Sequence, residues 1–394
     1  PARDTWDAAL AIPHVNGGPP PPLNIELLGD VQATTVVGNT VDFTVQNGKV
    51  VRIELLDDDI MRVRINVTGQ FTDWVSGAIA PSGLNVSTAS VNDTQDATFL
   101  STPKLTVIVE KRPFRITVLR PDGSVISADT ETAVGWLPDT GIIYNRKIAL
   151  PGERFMGLGL RGGPIDRRGD NFVMRNTDHF GYGEFDGPLY SSTPFYYGFH
   201  DGAFYGLFVD SPAEPFFDMD KDASDSVMFG AKQKELDYYV FAGPNPEDVA
   251  KSYAKITGFM PLPPKWALGF HQSRFGYNSW QQILDIGAMF RQLQIPVDAM
   301  YLDLDYMNDL DWFSWSPVNF PDPVGNNQIM EDMGIKRVNI LDPSIQPDDP
   351  LFPFLAASDF FLMDSLGNIV TNQIFQPFGQ VSWYDYSRSD AGQF

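Results

Sequence analysis

Val297-Asp298-Ala299-Met300-Tyr301-Leu302-Asp303-Leu304-Asp305-Tyr306-Met307-Asn308-Asp309 begins as an apolar strand and runs straight into an acid-rich loop. Upstream, Ser279 stands where a helix N-cap belongs, and Gln282 three residues on completes a capping box. Ile283, Ile286, Phe290 and Leu293 then recur on one face at helical spacing until Pro296 stops the element. Before that helix, Ala267-Leu268-Gly269-Phe270-His271 reads as a buried strand. After the acidic loop, a shorter helical stretch around Asn326–Met333 leads to Lys336-Arg337-Val338-Asn339-Ile340-Leu341, a third strand closed by Asp342. Strand, helix, strand, helix, strand is the βα grammar of a parallel sheet. Polar groups just past successive strand ends are where a (β/α)8 barrel carries its active site. About three such units are supplied where a barrel needs eight, and the last residues, up to Phe394, read as the helix after the third strand.

A different grammar precedes Pro261-Leu262-Pro263-Pro264. Short β-branched or aromatic runs recur: Val50-Val51-Arg52-Ile53-Glu54-Leu55, Leu105-Thr106-Val107-Ile108-Val109, Phe114-Arg115-Ile116-Thr117-Val118-Leu119 and Tyr238-Tyr239-Val240-Phe241. Turn signals such as Pro121-Asp122-Gly123 and Asp201-Gly202 separate them, and several runs alternate polar and apolar residues as half-buried antiparallel strands do. The expected architecture is therefore a multidomain β plus α/β chain. Residues 1–260 form an N-terminal antiparallel β-sandwich, and residues 261–394 form the first βα units of a (β/α)8 TIM barrel. Gly17-Gly18-Pro19-Pro20-Pro21-Pro22 reads as a stiff, extended surface segment.

Composition narrows the function. Lys and Arg number 28 against 50 Asp and Glu, a net charge of −22, which disfavours nucleic acid and anionic membrane surfaces and suits a neutral substrate. No run approaches the roughly 18 apolar residues of a membrane helix, so a soluble protein is expected. The absence of cysteine excludes disulfides, thiolate metal sites and cysteine nucleophiles. Sequons at Asn66, Asn85 and Asn92 point weakly to secretion, and the start at Pro1-Ala2-Arg3 fits a processed mature terminus or a trimmed chain.

The densest polar cluster is the acidic loop itself, extended by Asp311, Trp312 and Trp315. Carboxylates accept hydrogen bonds from sugar hydroxyls, and aromatic faces stack on a pyranose ring; an ordinary solvated acidic face is the competing reading. Here a resemblance becomes specific. Pro263-Pro264-Lys265-Trp266 through His271-Gln272-Ser273-Arg274-Phe275-Gly276-Tyr277 resembles the opening of the barrel in family 31 of the glycoside hydrolases. Ile295-Pro296-Val297-Asp298, Leu302-Asp303-Leu304-Asp305-Tyr306-Met307 and Phe320-Pro321-Asp322-Pro323 resemble its second unit, and Ile340-Leu341-Asp342-Pro343 its third. Arg154-Phe155-Met156-Gly157-Leu158-Gly159, Asp166-Arg167-Arg168-Gly169, Asn176-Thr177-Asp178 and Phe180-Gly181-Tyr182-Gly183 resemble its N-terminal sandwich.

That resemblance implies a retaining α-glucosidase acting on oligosaccharides through a covalent glycosyl-enzyme, without a cofactor or metal. It implies that Asp303 binds hydroxyls of the transferred sugar, that Ile340 and Asp342 line the same subsite, and that Phe275 borders it. Asp178 would reach toward the leaving-group side, and Trp315, in Phe313-Ser314-Trp315, matches a Phe-Thr-Trp-like stretch. The family's nucleophile lies in a Trp-x-Asp-Met-Asn-Glu-like sequence on the fourth strand, and no such sequence occurs here. No catalytic residue is therefore assigned in this chain. The nucleophile and acid/base are expected beyond residue 394, on a second polypeptide or a further segment that completes the barrel. Gln376-Pro377-Phe378-Gly379 also departs from the Trp-Pro-Gly of many members. An α-glucosyltransferase, an α-xylosidase, a lyase of the family or a non-catalytic sugar-binding fragment are the alternatives.

Three other patterns are set aside. Gly157-x-Gly159-x-x-Gly162 spells a dinucleotide fingerprint, but an Asp/Arg-rich turn follows it where a helix is needed. Asp218-x-Asp220-x-Asp222 lacks the Gly and Glu of a calcium loop, having Ala223 and Phe229 instead. His271, one of four scattered histidines, reads as a satisfied strand-end residue and not as a base.

Overall fold

The computed structural model describes residues 24–179, 181–309, 311, 313–341, 344–373, 379–388 and 390. Two compact units meet in sequence at Met260 and Pro261. Gly17–Pro22 lies outside the described residues.

In the first unit, alternation is converted directly into two antiparallel sheets. Along Val50–Asp57 every second residue is buried, so Val51, Ile53 and Leu55 point inward while Arg52 pairs with Asp42 at 2.7 Å on the outer face. Thr106–Lys111 and Phe114–Leu119 repeat the pattern with Val107, Val109, Ile116 and Val118 inside. These side chains, drawn from both sheets, share one hydrophobic core with Tyr238 and Val240 of Glu235–Phe241. Burying each aliphatic side chain is worth about 1.5–3 kcal/mol, which is why period-two runs choose one register. One sheet has eight strands and the other ten among the described residues. The 13-residue strand Val125–Leu137 joins the halves of the larger sheet, pairing first with Phe114–Leu119 and then, past a register shift, with Ile142–Ile148. Asp201 and Gly202 both have positive φ (51° and 76°), the twist that a tight hairpin between Phe195–His200 and Ala203–Val209 requires.

Charge enters this core only with partners. Asp129 accepts from the Ile116 backbone N–H (2.8 Å), Asn145 Nδ2 (3.3 Å) and Lys147 Nζ (2.6 Å). Losing one partner would strand a buried ion, so the cluster holds the strands in one alignment. Of the three sequons, Asn66 is buried and its amide donates to Glu235 Oε2 at 3.0 Å, whereas Asn85 and Asn92 are exposed.

The second unit opens with a correction. Lys265–Leu268 forms a 3-10 turn, and the first strand is only His271–Gln272. Leu268 is 70% exposed, so Ala267–His271 is not a buried strand. Pairing begins at the Phe270 carbonyl, which accepts from Asp298 N at 2.8 Å. Ala299–Leu302 lies between His271–Gln272 and Lys336–Asn339, all parallel, with Leu302 opposite Asn339. The helix Trp280–Gln292 starts at Ser279, whose hydroxyl accepts from Gln282 N at 3.3 Å, while Gln282 Oε1 accepts from Asn278 N at 2.9 Å. Ile283 and Gly287 face the sheet, and a Cβ at Gly287 would come within 3.1 Å of Ile335. Leu293 lies past the helix end and is 59% exposed, so it does not extend the apolar face. The next helix is Pro323–Asp332, capped by Asp322, whose Oδ1 accepts from Gly325 N at 3.0 Å.

A second correction concerns the residues after the third strand. A helix does follow, the short Phe352–Ala357, but Ser344–Ile345, Gln380–Trp383 and Thr371–Gln373 also form a small antiparallel sheet in that spatial order, and residues 391–394 lie outside the described residues. Ile345, Leu355, Phe361 and Tyr384 form its own small core. Among the described residues no helix is long and apolar enough to cross a membrane.

One ionisable group makes the sandwich sensitive to pH. Asp237 is pushed up to about 6 by burial, only partly offset by its hydrogen bonds to Arg62. Its folded state therefore holds a proton that the unfolded chain releases near pH 4, so its contribution to stability falls as pH rises from about 4 to about 6. Urea midpoints measured across that window should decline less steeply in Asp237→Asn than in the wild type. Identical slopes would mean that Asp237 does not titrate there.

Candidate functional site

Three loops leave the same edge of the parallel sheet because parallel strands end on the same side. After the second strand, Asp303 caps the 3-10 turn Leu304–Tyr306, its Oδ1 accepting from Leu304 N at 2.7 Å. This half-buried carboxylate is thereby locked at the strand end, and Oδ2 has no partner among the described residues. An oriented acceptor with one free oxygen is suited to a neutral hydroxyl-bearing ligand.

The neighbouring loops are tied to this turn. Tyr306, buried, donates its hydroxyl to the Ile340 carbonyl at 3.0 Å, and Ile340 N donates to Leu302 O at 3.0 Å. Ile340 is thus held beside Asp303 at the end of the adjacent strand. Asp342 lies outside the described residues, as does Trp312. In the first loop Gln272 Nε2 donates to Tyr277 OH at 3.0 Å, and Gly276, at φ 74°, sits where a Cβ would be 3.5 Å from Asp305 Oδ2. Phe275 stands on that loop with 69% of its surface exposed.

Trp315 is placed more deeply. Its ring stacks on Trp280 (centroids 5.8 Å, 15°), meets Tyr306 at 5.1 Å, and lies under the Arg337 guanidinium at 5.0 Å. It thereby backs the Tyr306 turn and packs on the core of the unit. His271 has partners on both ring nitrogens, Tyr301 OH and Trp266 O, each at 3.2 Å, and stacks on Trp266. Nothing in that arrangement leaves it poised as a base.

Asp178 belongs to the first unit, on an exposed loop pinned by Thr177 N to Leu189 O at 2.9 Å and by Ser192 N to Asn176 Oδ1 at 2.7 Å. Tyr190 donates to the His179 carbonyl at 3.0 Å, and its phenol is held above the ordinary range by desolvation and then by the Asp178 carboxylate. Exposed Tyr182 and Tyr190 rings stand beside each other on the loop.

Tyr306 and Trp280 are the positioning residues that sequence reasoning passed over. A tyrosine three residues after a strand-end aspartate was the available signal for the first; for the second, only the pairing with Trp315 gives it meaning. Asp220 pairs with Arg168 at 2.8 Å, Asp218 accepts from Lys221 N, and no metal-binding cluster exists among the described residues. Gly157 and Gly159 let the chain pass against the Phe195 and Ser191 carbonyls, and no helix follows them through residue 170.

Two family models match this chain: the glycosyl hydrolase 31 N-terminal galactose mutarotase-like domain over residues 50–218, and the family 31 TIM-barrel domain over residues 260–394. Among curated relatives, alpha-glucosidase 2 of Bacillus thermoamyloliquefaciens is 33% identical over 329 residues, which is 83% of this chain and 41% of the relative. An alpha-glucosidase of Saccharolobus solfataricus is 28% identical over 253 residues, 64% of this chain and 36% of that one. A dextranase of Flavobacterium johnsoniae, solved with isomaltotriose, superposes with a TM-score of 0.85 at 27% identity, covering 93% of this chain and 45% of its own. The chain thus spans about two fifths of the length of these curated relatives.

Removing the Tyr306 hydroxyl tests the tie between loops. Tyr306→Phe should cost about 1 kcal/mol and speed amide exchange in peptides covering residues 336–341. Unchanged exchange there would show that the bond does not hold the third strand end.

Proposed function

Because this chain belongs to glycoside hydrolase family 31, we propose that it forms the sugar-binding front of a retaining α-glucosidase. The observation that carries this reading is Asp303, fixed by its own turn at the end of the central parallel strand with one carboxylate oxygen left unpaired among the described residues. In the proposed site that oxygen accepts hydroxyl hydrogen bonds from the glucosyl unit being transferred, and charge-assisted bonds of this kind are the strong ones. Ile340 supplies an apolar wall, Phe275 a ring at the rim, and Trp315 the backing of the Tyr306 turn. Asp342 would line the same subsite, and Asp178 would meet the leaving-group side.

Retention requires a carboxylate nucleophile and a carboxylic acid about 5–5.5 Å apart. We assign that pair to barrel strands other than the three described, on a further segment or a second polypeptide, so this chain binds and orients the sugar while the attack comes from elsewhere. A neutral α-glucoside suits a chain of net charge −22 better than an anionic substrate does. Secretion is part of the same proposal, and exposed Asn85 and Asn92 are compatible with it.

The test is kinetic. In a preparation that hydrolyses p-nitrophenyl α-glucoside, Asp303→Ala should lower kcat/KM by about a hundredfold or more, the loss of charge-assisted hydrogen bonds to the transferred sugar. Asp309→Ala, on the exposed side of the same loop, should change it little. Near-normal kcat/KM in a folded Asp303→Ala protein would remove Asp303 from the site.

A further inference from the structure

The sandwich unit has a cleft of its own, about 600 Å³, lined by residues 161–164 and 166–173, Phe185 to Pro188 and a few neighbours. Nothing in the proposed hydrolysis uses it. Its chemistry is mixed in an informative way. Arg161 and Arg167 both flank Phe172, with guanidinium carbons 5.5 and 5.9 Å from the ring centroid. Neither makes an ion pair among the described residues, and their bonds go mainly to backbone carbonyls such as Val173 O and Gly162 O. Arg167 Nε is buried without an acceptor among the described residues. Burial lowers both guanidinium pKa values, that of Arg161 to about 10.

Glycine keeps the space open. A Cβ at Gly163 would reach within 3.2 Å of the Phe185 ring, and one at Gly187 within 3.3 Å of Arg161 Nη1. Phe185 itself is 75% exposed on the rim. Asp166, Asp170 and Asp186 line the same cleft. That balance, in a chain of net charge −22, speaks against an anion. Dinucleotide binding at the nearby glycines would need a helix N-terminus, and residues 158–170 contain no helix.

We infer that this cleft is a second carbohydrate site, which holds a neutral α-gluco-oligosaccharide on the sandwich independently of the strand-end site. A sugar brings hydroxyls that both donate and accept, together with apolar ring faces. The cleft supplies unspent guanidinium donors, carboxylate acceptors and phenyl faces in a volume that fits two or three pyranose rings. The α-gluco configuration rests on the proposed α-glucosidase function; the presence of a sugar site does not. Such a site would keep a polymeric substrate on the protein between cleavage events.

Hydrogen–deuterium exchange of the full chain with saturating maltotriose tests this without turnover, in an Asp303→Ala background that disables the strand-end site. Peptides covering residues 161–173 and 185–188 should be protected. Phe185→Ala and Asp170→Asn, both at exposed side chains, should each weaken binding about tenfold, the loss of one stacking or hydrogen-bonding partner. Protection absent from those peptides, or confined to the strand-end loops, overturns the inference, as does unchanged affinity in both cleft variants. Loss of hydrolysis by Asp303→Ala with cleft binding retained would separate the two sites.

Discussion

The hydrogen-bonded register of Ala299–Leu302 between its two parallel neighbours is the constraint on which the second unit depends. Parallel pairing sends all three chains out at one edge, so the loops after residues 272, 302 and 339 cannot avoid one another. Met300 and Leu302 are fully buried, and Gly287 lets the covering helix come close to Met300 and Ile335. With the strands so fixed, Asp303 has no freedom to leave the edge. Its carboxylate caps the turn that follows, and that turn carries Tyr306 to the Ile340 carbonyl. The carboxylate proposed to bind the sugar is thus pre-organised by backbone geometry before any ligand arrives, which is where much of its value in transition-state binding would originate.

The sandwich unit solves a different problem, that of holding long irregular loops over a rigid support. Its two sheets share one large core, while the described residues of 158–192 contain only one short strand, Asn171–Val173. Those loops are secured by side-chain to backbone bonds: Arg161 to Leu158 O and Val173 O, Arg167 to Gly162 O and Pro164 O, Arg168 to Leu150 O and Glu153 O. Arginine suits this work because its planar fork satisfies several carbonyls at once. The same use leaves some guanidinium donors unspent, and the cleft forms around them.

Much of this was legible from residue order, and the failures have physical causes. Ser279 and Gln282 announced the helix because a cap is a local device, and Val50–Leu55 announced a strand because alternation is local too. Ala267-Leu268-Gly269-Phe270 misled because an apolar run does not reveal whether its neighbours pair; the preceding prolines lead into a 3-10 turn, and the ladder starts only at the Phe270 carbonyl. The small sheet of Ser344–Ile345, Gln380–Trp383 and Thr371–Gln373 is built from strands of two to four residues with no periodicity to read, and Ser344 finds its partner only at Trp383, far along the chain. The strand-end place of Asp303 was legible from the apolar run before it, while its proposed role comes from the family resemblance; the stacking of Trp280 on Trp315 could be seen only once the helix and loop were in contact.

The most direct measurement is covalent trapping. An active preparation is incubated with 5-fluoro-α-glucosyl fluoride, whose ring fluorine slows release of the sugar so that a glycosyl-enzyme accumulates, and the labelled peptide is sequenced. If Asp303 binds the transferred sugar and the nucleophile stands on another barrel strand, the label falls on an aspartate outside the loops after residues 272, 302 and 339, and forms far more slowly in Asp303→Ala. A label on Asp303 or Asp305 would contradict that division of roles and put the attacking carboxylate on the strand assigned here to binding.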